Sequence, residues 1–530
     1  MGIIKAAFIV GAFTLLSRIV GFLRECIMVF SLEVGMYTDA LLVALRLANT
    51  FRRIFAEGAF NASFLPRFSQ ILHNRSDTAS ETREKNPLLA PNEVLADVFS
   101  ALLWTVTAFC VLVLIFFPSV LKIFVSGFDV LGEKFRLTVA LGRICFPYLI
   151  FISIASLFGG VLNSISRFAL PAALHSIMSL CTMTALLIGY FCELSSLVTV
   201  HLVSAFVLLS GVIQSYILYI SIRKYGFRIS LRLNCWSATV HDIMKNMIPG
   251  IIGVGVWQLN ILVDTTVASY LPTATITYIG LADRLNQFPL GTLGVALSTA
   301  LLPTLSRHIA KKDYDRANAE LERGILFAFF LTFFATIILL ALDKPTVAVA
   351  FQRGLFQENQ VKITADALMG FAIGLPAFVL TKIFSSLYFA SGDTKTPVIF
   401  GACSVAVNIF SLLLLVPFKK YFGLALCTSI SAFANAALLM YFAGKNMPLK
   451  LSKNFVAKIF SQLCAALVAY AGAIYLSENF WSAELGNQSL KWLIYSGFLL
   501  ATAAIFFTTM VLCLKLFRQT EWKIWKKSAW

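Results

Sequence analysis

The sequence predicts an all-α polytopic membrane protein: about fourteen transmembrane helices, in two parallel-related six-helix lobes plus two extra helices at the C-terminal end. Three observations carry that prediction. The chain is 59% hydrophobic and only 13% charged over 530 residues. Its mean hydropathy of +0.83 means more apolar surface than a core of this size can bury, so lipid must be its solvent. The apolar residues also fall into runs of about 20 to 30 residues, long enough to cross a bilayer. This composition excludes a soluble enzyme. It excludes a disordered chain too, given 48 Phe and no low-complexity tract.

The runs lie near 5–30, 37–56, 97–121, 137–163, 170–192, 197–222 and 243–270, then 275–305, 320–343, 362–390, 397–417, 422–444, 455–477 and 489–516. The stretches 73–95, 223–242, 306–319 and 445–454 read as polar loops. No small-x-small cleavage site follows the first run, which continues into Ser17-Arg18, so it is expected to remain as a span. The second and eighth runs are the least apolar because they carry charges.

Orientation follows from the basic residues. With the N-terminus inside, Lys and Arg in the inside segments outnumber those outside by more than two to one, so both termini are expected in the cytoplasm. The net charge of +17 reflects this bias and forms no single nucleic-acid-binding stripe. Ten Cys are scattered without metal-ligand spacing and read as small apolar packing residues.

The halves are related. Residues 59–69, AFNASFLPRFS, parallel 296–306, ALSTALLPTLS, with Pro66 opposite Pro303. ALRL at 44–47 parallels ADRL at 282–285, and LNSISRFALP at 162–171 shares a polar-turn-then-Pro pattern with YFASGDTKTP at 388–397. An offset of about six spans preserves direction, as in parallel repeats about an axis normal to the membrane. The expected division is residues 1–224, 225–450 and 451–530, the last holding the two extra spans.

Charges inside spans are expensive, about 2.5 to 3.5 kcal/mol each on insertion scales, and mark candidate sites. The first run holds Arg18 and Arg24; the second holds Asp39, Arg46, Arg52, Arg53 and Glu57; the eighth holds Asp283 and Arg284. At equivalent points of two halves they would face a shared cationic cavity. Arginine suits phosphate because its planar fork donates two parallel hydrogen bonds and stays ionised. One such pair gains about 4 kcal/mol at an effective dielectric near 20, before desolvation. Bland readings stand beside this one. Arg24 and Arg53 can snorkel to headgroups. Asp39 with Arg18 or Arg24, and Glu57 with Arg53, can be structural ion pairs. Arg143 and Lys382 read as structural. Asp264, beside Thr265 and Thr266, is equally an ion ligand or a packing residue. No Walker loop or nucleophile–base–acid set is present, which argues for a transporter over an enzyme.

Ser17-Arg18-x-x-Gly21-Phe22-x-Arg24, Thr38-Asp39-Ala40 and the run Arg52-Arg53-Ile54-Phe55-Ala56-Glu57-Gly58-Ala59-Phe60 resemble the MurJ (MviN) family. So do Ala282-Asp283-Arg284-Leu285, Pro289-x-Gly291 and Asp393-Thr394-Lys395-Thr396-Pro397. The likeness spans essentially the whole chain. It implies a lipid II flippase of the bacterial inner membrane, moving the undecaprenyl-diphosphate-linked peptidoglycan precursor outward by alternating access. The implied fold is that of the multidrug/oligosaccharidyl-lipid/polysaccharide exporters. The family's cavity arginines match Arg18, Arg24, Arg52 and Arg284, and its acidic partner matches Asp39. Ser17, Arg53, Glu57 and Asp283 support them. The last two spans would line a groove for the lipid tail.

The resemblance has departures. Ala48 stands where many members have Pro, which softens the expected kink. Gln287 stands where some members carry an acid. Some members bind sodium, and Asp264, Asn408 and Thr428 fit that pattern, but Leu412 occupies the second acid's position and weakens the site. No organic cofactor is implied; the driving force is sodium or the membrane potential. Implied partners are lipid II, membrane lipids and cell-wall synthesis proteins, with no nucleic acid. Two rivals remain. An exporter of another diphospholipid-linked oligosaccharide would share the fold and the basic cavity. A non-transporting scaffold for cell-wall synthesis would not need buried arginines.

Overall fold

The computed structural model describes residues 3–78, 89–446, 452, 454–480 and 488–516. Among these the chain is helical and contains no strand. It divides into two compact units, Met1–Thr277 and Tyr278–Trp530. That division follows packing density, whereas the sequence division near residue 224 follows the repeat.

In the first unit α1 (Ile3–Ser31) precedes α2 (Met36–Arg52), a π-helical turn π1 (Arg53–Gly58) and α3 (Ala59–Thr78). Next come α4 (Leu89–Ile115), α5 (Phe117–Phe124), α6 (Glu133–Cys145), α7 (Tyr148–Ser164), α8 (Ala169–Leu174), α9 (Ile177–Phe191), α10 (Ser196–Lys224) and α11 (Ala238–Ser269). The sequence explains the ends of these helices. Ser195 Oγ accepts from the Val198 amide at the start of α10, as an N-cap should. Arg223 and Lys224 occupy its last turn, where cations favour the carbonyl end of the helix dipole. Helix α2 packs on α6, α7 on α10, and α11 on α3. Along α3, Phe60, Phe64 and Phe68 stack at 5.3 and 5.0 Å between ring centroids, one ring per helical turn.

The second unit repeats the pattern. Helix α12 (Thr275–Pro289), whose first turn closes the first unit, leads to a second π-turn, π2 (Leu290–Gly294), and to α13 (Val295–Ala310). It continues through α14 (Tyr314–Ala341), α15 (Asp343–Phe351), α16 (Glu358–Ile373), α17 (Leu375–Ala390), α18 (Lys395–Asn446), α19 (Phe455–Phe480) and α20 (Gln488–Leu516). Leu301 and Leu305 lie buried on α13 where the first unit has Phe64 and Phe68. Small residues allow close packing near the C-terminal end. Ala465, Ala466, Ala469 and Ala473 of α19 are buried against Phe330 and Ile337 of α14 and Phe506 of α20, the small-residue contact that brings helices together in lipid.

The internal repeat is thus expressed in backbone geometry. Each half carries helix–π-turn–helix with a proline inside the second helix, Pro66 in α3 and Pro303 in α13. The polar-turn pair matches as well. Helix α7 ends with Ser166 at φ 60° and α17 with Gly392 at φ 82°. In both turns an amide reaches back five residues, Arg167 to Leu162 O and Asp393 to Tyr388 O, each at 2.9 Å. These are Schellman caps.

Nine helices among the described residues are long and apolar enough to cross a membrane, or ten if the bent pair α16–α17 counts as one span. The expected count of fourteen does not emerge from length and apolarity alone. Helices α2 and α12 stop short at the π-turns. The expected runs 397–417 and 422–444 share α18, which breaks at Lys420 (φ 37°, ψ −113°). Ala48 is buried in an unbroken α2, so the distortion falls at π1 instead.

Candidate substrate-binding site

In the first unit the basic residues arise from α1, α2 and π1. Arg18 is half-buried on α1; among the described residues it makes no ion pair or hydrogen bond. Ser17 beside it is also half-buried. Arg24 pairs with the adjacent Glu25, side chains 16% and 9% exposed. Neighbours in sequence do not share a helix face, which is why spacing gave no hint of this partner. Arg52 donates from Nε to Asn49 Oδ1 at 3.0 Å, one turn back on α2. Arg53 is exposed at the start of π1. Glu57 lies in π1, but its side chain is outside the described residues. Arg46, set opposite Arg284 by the repeat, donates to Thr265 Oγ1 of α11 at 3.2 Å.

Asp39 has a different environment from the arginines. It is fully buried in the first turn of α2, where a carboxylate suits the helix dipole. Its oxygens accept from Lys134 Nζ at 2.7 Å and from the Ala274 amide at 2.8 Å. They also accept from the Thr277 amide at 2.9 Å and Thr277 Oγ1 at 2.7 Å. No arginine is among these partners. Four donors satisfy the charge that burial would otherwise penalise. Ala274 has φ 78°, a conformation costing an alanine roughly 1–2 kcal/mol and held here by its hydrogen bond to Asp39. Lys134 was not anticipated. The sequence placed it before a span starting at 137, whereas α6 begins at Glu133 and packs the lysine 4.3 Å over the Phe128 ring.

In the second unit Asp283 and Arg284 are half-buried on α12. Gln287, present where an acid was noted in some members, donates its amide to the Asp283 carboxylate one turn back. The Lys382 stem lies against π2, 3.0 Å from where a Cβ on Gly294 would stand.

The sodium-type residues divide between units. Asp264 is on α11 in the first unit; Asn408 and Thr428 are on the two arms of α18 in the second, with Leu412 buried. They supply one carboxylate, one amide and one hydroxyl, a thin donor set for a hard cation. Among the described residues no group of three or more His, Cys, Asp or Glu is placed to hold a metal.

Comparison with known proteins follows from this arrangement. Residues 28–496 match the family model described as lipid II flippase MurJ. A probable lipid II flippase MurJ of Rickettsia prowazekii is 32% identical over 97% of this chain and 98% of its own length. One from Rhizobium tropici is 34% identical over 92% and 90%, and the lipid II flippase MurJ of Burkholderia cenocepacia is 30% identical over 96% of each. Among solved structures, a lipid II flippase MurJ in an inward closed conformation is similar with TM-score 0.76 at 22% identity, covering 95% of this chain and 100% of that one. An inward-facing multidrug resistance MATE family transporter of the MOP superfamily is similar with TM-score 0.66 at 13% identity, covering 83% and 98%. At these identities the structures bear on fold alone, whereas the family model and the curated relatives bear on membership. The chain belongs to the lipid II flippase MurJ family.

Proposed function

We infer that this chain is a lipid II flippase, carrying the diphosphate-linked peptidoglycan precursor from the cytoplasmic to the periplasmic leaflet by alternating access. The observation that carries this reading is family membership over nearly the full length of relatives that bear the function in their names. We place it in the bacterial inner membrane with both termini cytoplasmic, an orientation that the distribution of Lys and Arg supports.

Arg18, Arg24, Arg52 and Arg284 are the groups we assign to the diphosphate. Arg18 supports the assignment most directly, because among the described residues no protein acid neutralises it. Arg24 is half-neutralised by Glu25 and serves a weaker role. Asp39 we assign to holding α2 against the turn before α12, since all its oxygens are engaged there. The driving force is the membrane potential: each negative charge leaving a negative interior gains about 2.3 kcal/mol per 100 mV, and a diphosphate carries roughly two such charges.

The test is complementation of a bacterium depleted of its own lipid II flippase, with wild type beside Arg18→Ala, Arg52→Ala and Arg284→Ala at matched membrane levels. Rescue by wild type and not by the variants supports substrate and site together. Failure of correctly inserted wild type moves the substrate to another lipid-linked oligosaccharide. Rescue by all four removes the arginines from the site and reopens the scaffold reading.

A further inference from the structure

A strap that is both basic and apolar leads from α10 to α11 within the first unit. Residues 225–237 form neither helix nor strand, yet they are tied down. The Arg228 amide donates to Asn92 Oδ1 at 3.0 Å and the Arg232 amide to Ser100 Oγ at 2.9 Å. The Arg232 guanidinium pairs with Asp97 at 3.1 Å. From Asn92 to Ser100 is about two turns of α4, roughly 12 Å, and the chain from Arg228 to Arg232 covers that distance only when nearly extended. The strap therefore runs along the start of α4, with side chains alternating toward it and away from it. Arg232 points to α4; Leu231 and Leu233 point away, 57% and 85% exposed. Phe227 and Cys235 are buried toward its two ends, Phe227 against Phe68 of α3 at 6.1 Å between ring centroids.

The exposed side has two layers. The apolar run of α4 begins near residue 97, so Leu231 and Leu233, held beside Asp97 and Ser100, stand level with the edge of the hydrocarbon core. Trp236 follows them, 61% exposed. Arg228, level with Asn92, lies about 8 Å farther out along α4, inside the headgroup layer. Lys224 and Arg228 are exposed, and among the described residues neither side chain makes an ion pair or hydrogen bond. Acids do not cancel them. Positions 223–236 hold Arg223, Lys224, Arg228 and Arg232 and no Asp or Glu. Asp97 is taken by Arg232, and Glu93, exposed on α4, pairs with neither cation. The Arg167 guanidinium adds a further positive charge, 5.4 Å over the Tyr225 ring. Leucine and tryptophan at the core edge, with cations one layer out, hold a segment on an anionic lipid surface: the apolar groups insert and the cations are drawn to phosphate.

We propose that this strap docks anionic phospholipid of the phosphatidylglycerol type. Leu231, Leu233 and Trp236 enter the acyl boundary, and Lys224 and Arg228 bind the headgroup phosphates. The surface involves none of the arginines assigned to the diphosphate, and its test reads lipid contact, so failure here leaves the translocation reading untouched.

The experiment is quenching of Trp236 emission in the full-length protein, isolated as the difference between wild type and Trp236→Phe. The membranes mix phosphatidylglycerol with phosphatidylcholine, and one or the other carries brominated acyl chains. Brominated phosphatidylglycerol should quench at least about fivefold more effectively, the enrichment that one surface cation supplies, and the preference should fade as salt screens it. Lys224→Gln combined with Arg228→Gln should bring the two lipids level at an unchanged thermal midpoint, and Leu233→Ser should weaken quenching by both. Should a variant unfold, the salt dependence of wild type decides. Equal quenching of wild type by the two lipids overturns the anionic assignment. Quenching by neither overturns the membrane as partner and gives this face to water or to a second protein. A preference that survives in the folded double variant, or that ignores salt, overturns the role of the two cations.

Discussion

The carboxylate of Asp39 lies 2.7 Å from Nζ of Lys134, joining the start of α2 to the start of α6, and the same carboxylate holds the strained Ala274 amide. Breaking a buried ion pair from one side costs about 3–5 kcal/mol, because it strands the other charge. Asp39→Ala should therefore destabilise strongly, and it also frees Ala274 from its restraint. Lys134→Met should cost less, since two amides and a hydroxyl still hold the carboxylate. Thermal unfolding of the purified variants orders them; equal losses would mean that Lys134 is the main support.

Arg18→Ala and Arg284→Ala should lower lipid II translocation in vesicles about tenfold or more, given about 4 kcal/mol per arginine–phosphate pair before desolvation, with little change in unfolding temperature. Arg→Lys at either position should recover only part, because a lysine is a point charge without the bidentate fork. Full recovery by lysine would show that charge alone suffices.

Gly370 faces the backbone of α18. A Cβ there would stand 2.7 Å from Phe422 O and 2.9 Å from the Leu426 amide. Backbone cannot move aside as a side chain can, so Gly370→Ala should force α16 and α18 apart and cost about 1–3 kcal/mol. Gly444, with open space around it, is the control: an alanine there should be neutral, and equal effects at both positions would refute the close-approach argument.

Asp393 sits in the turn before α18. Its carboxylate accepts from the Lys395 and Thr396 amides at 3.0 Å each and from the Thr396 hydroxyl. Partial burial would raise its pKa, but these hydrogen bonds and the Lys395 charge outweigh it and hold the carboxyl below its ordinary value. A depressed folded pKa means the contribution is present above the unfolded carboxylate pKa and fades as pH falls through the folded one. Asp393→Asn should cost about 1 kcal/mol near neutrality and nothing in acid. A wild-type-minus-variant difference that grows on acidification would reverse the sign of the argument.

Collapsing the membrane potential should slow translocation, while replacing sodium by potassium should change it little, since Leu412 stands in for a carboxylate in the sodium-type set. Leu412→Asp should restore sodium dependence if the fold accepts it. Translocation that ignores the potential and stops without sodium would invert the driving-force assignment.

What the sequence determined by itself was largely what composition and periodicity control. Every expected apolar run falls on described helix, because lipid rewards a continuous internally bonded backbone wherever side chains are apolar. The repeat was legible through Pro66 and Pro303, and it reappears as two π-turns that no residue type announces, since they are a shift in backbone hydrogen-bond register. The arginines stood out because ionised groups are rare in apolar runs. Their partners did not. Lys134 lies far along the chain from Asp39, the turn at Ala274 and Thr277 farther still, and Glu25 is an immediate neighbour on a helix whose geometry ordinarily parts such pairs. Which charges meet in a low-dielectric interior depends on which helices pack, and packing sums many weak contacts across the fold. Tertiary structure alone therefore decided that Asp39 is held by Lys134 and a distant turn, with Arg18 unpaired among the described residues.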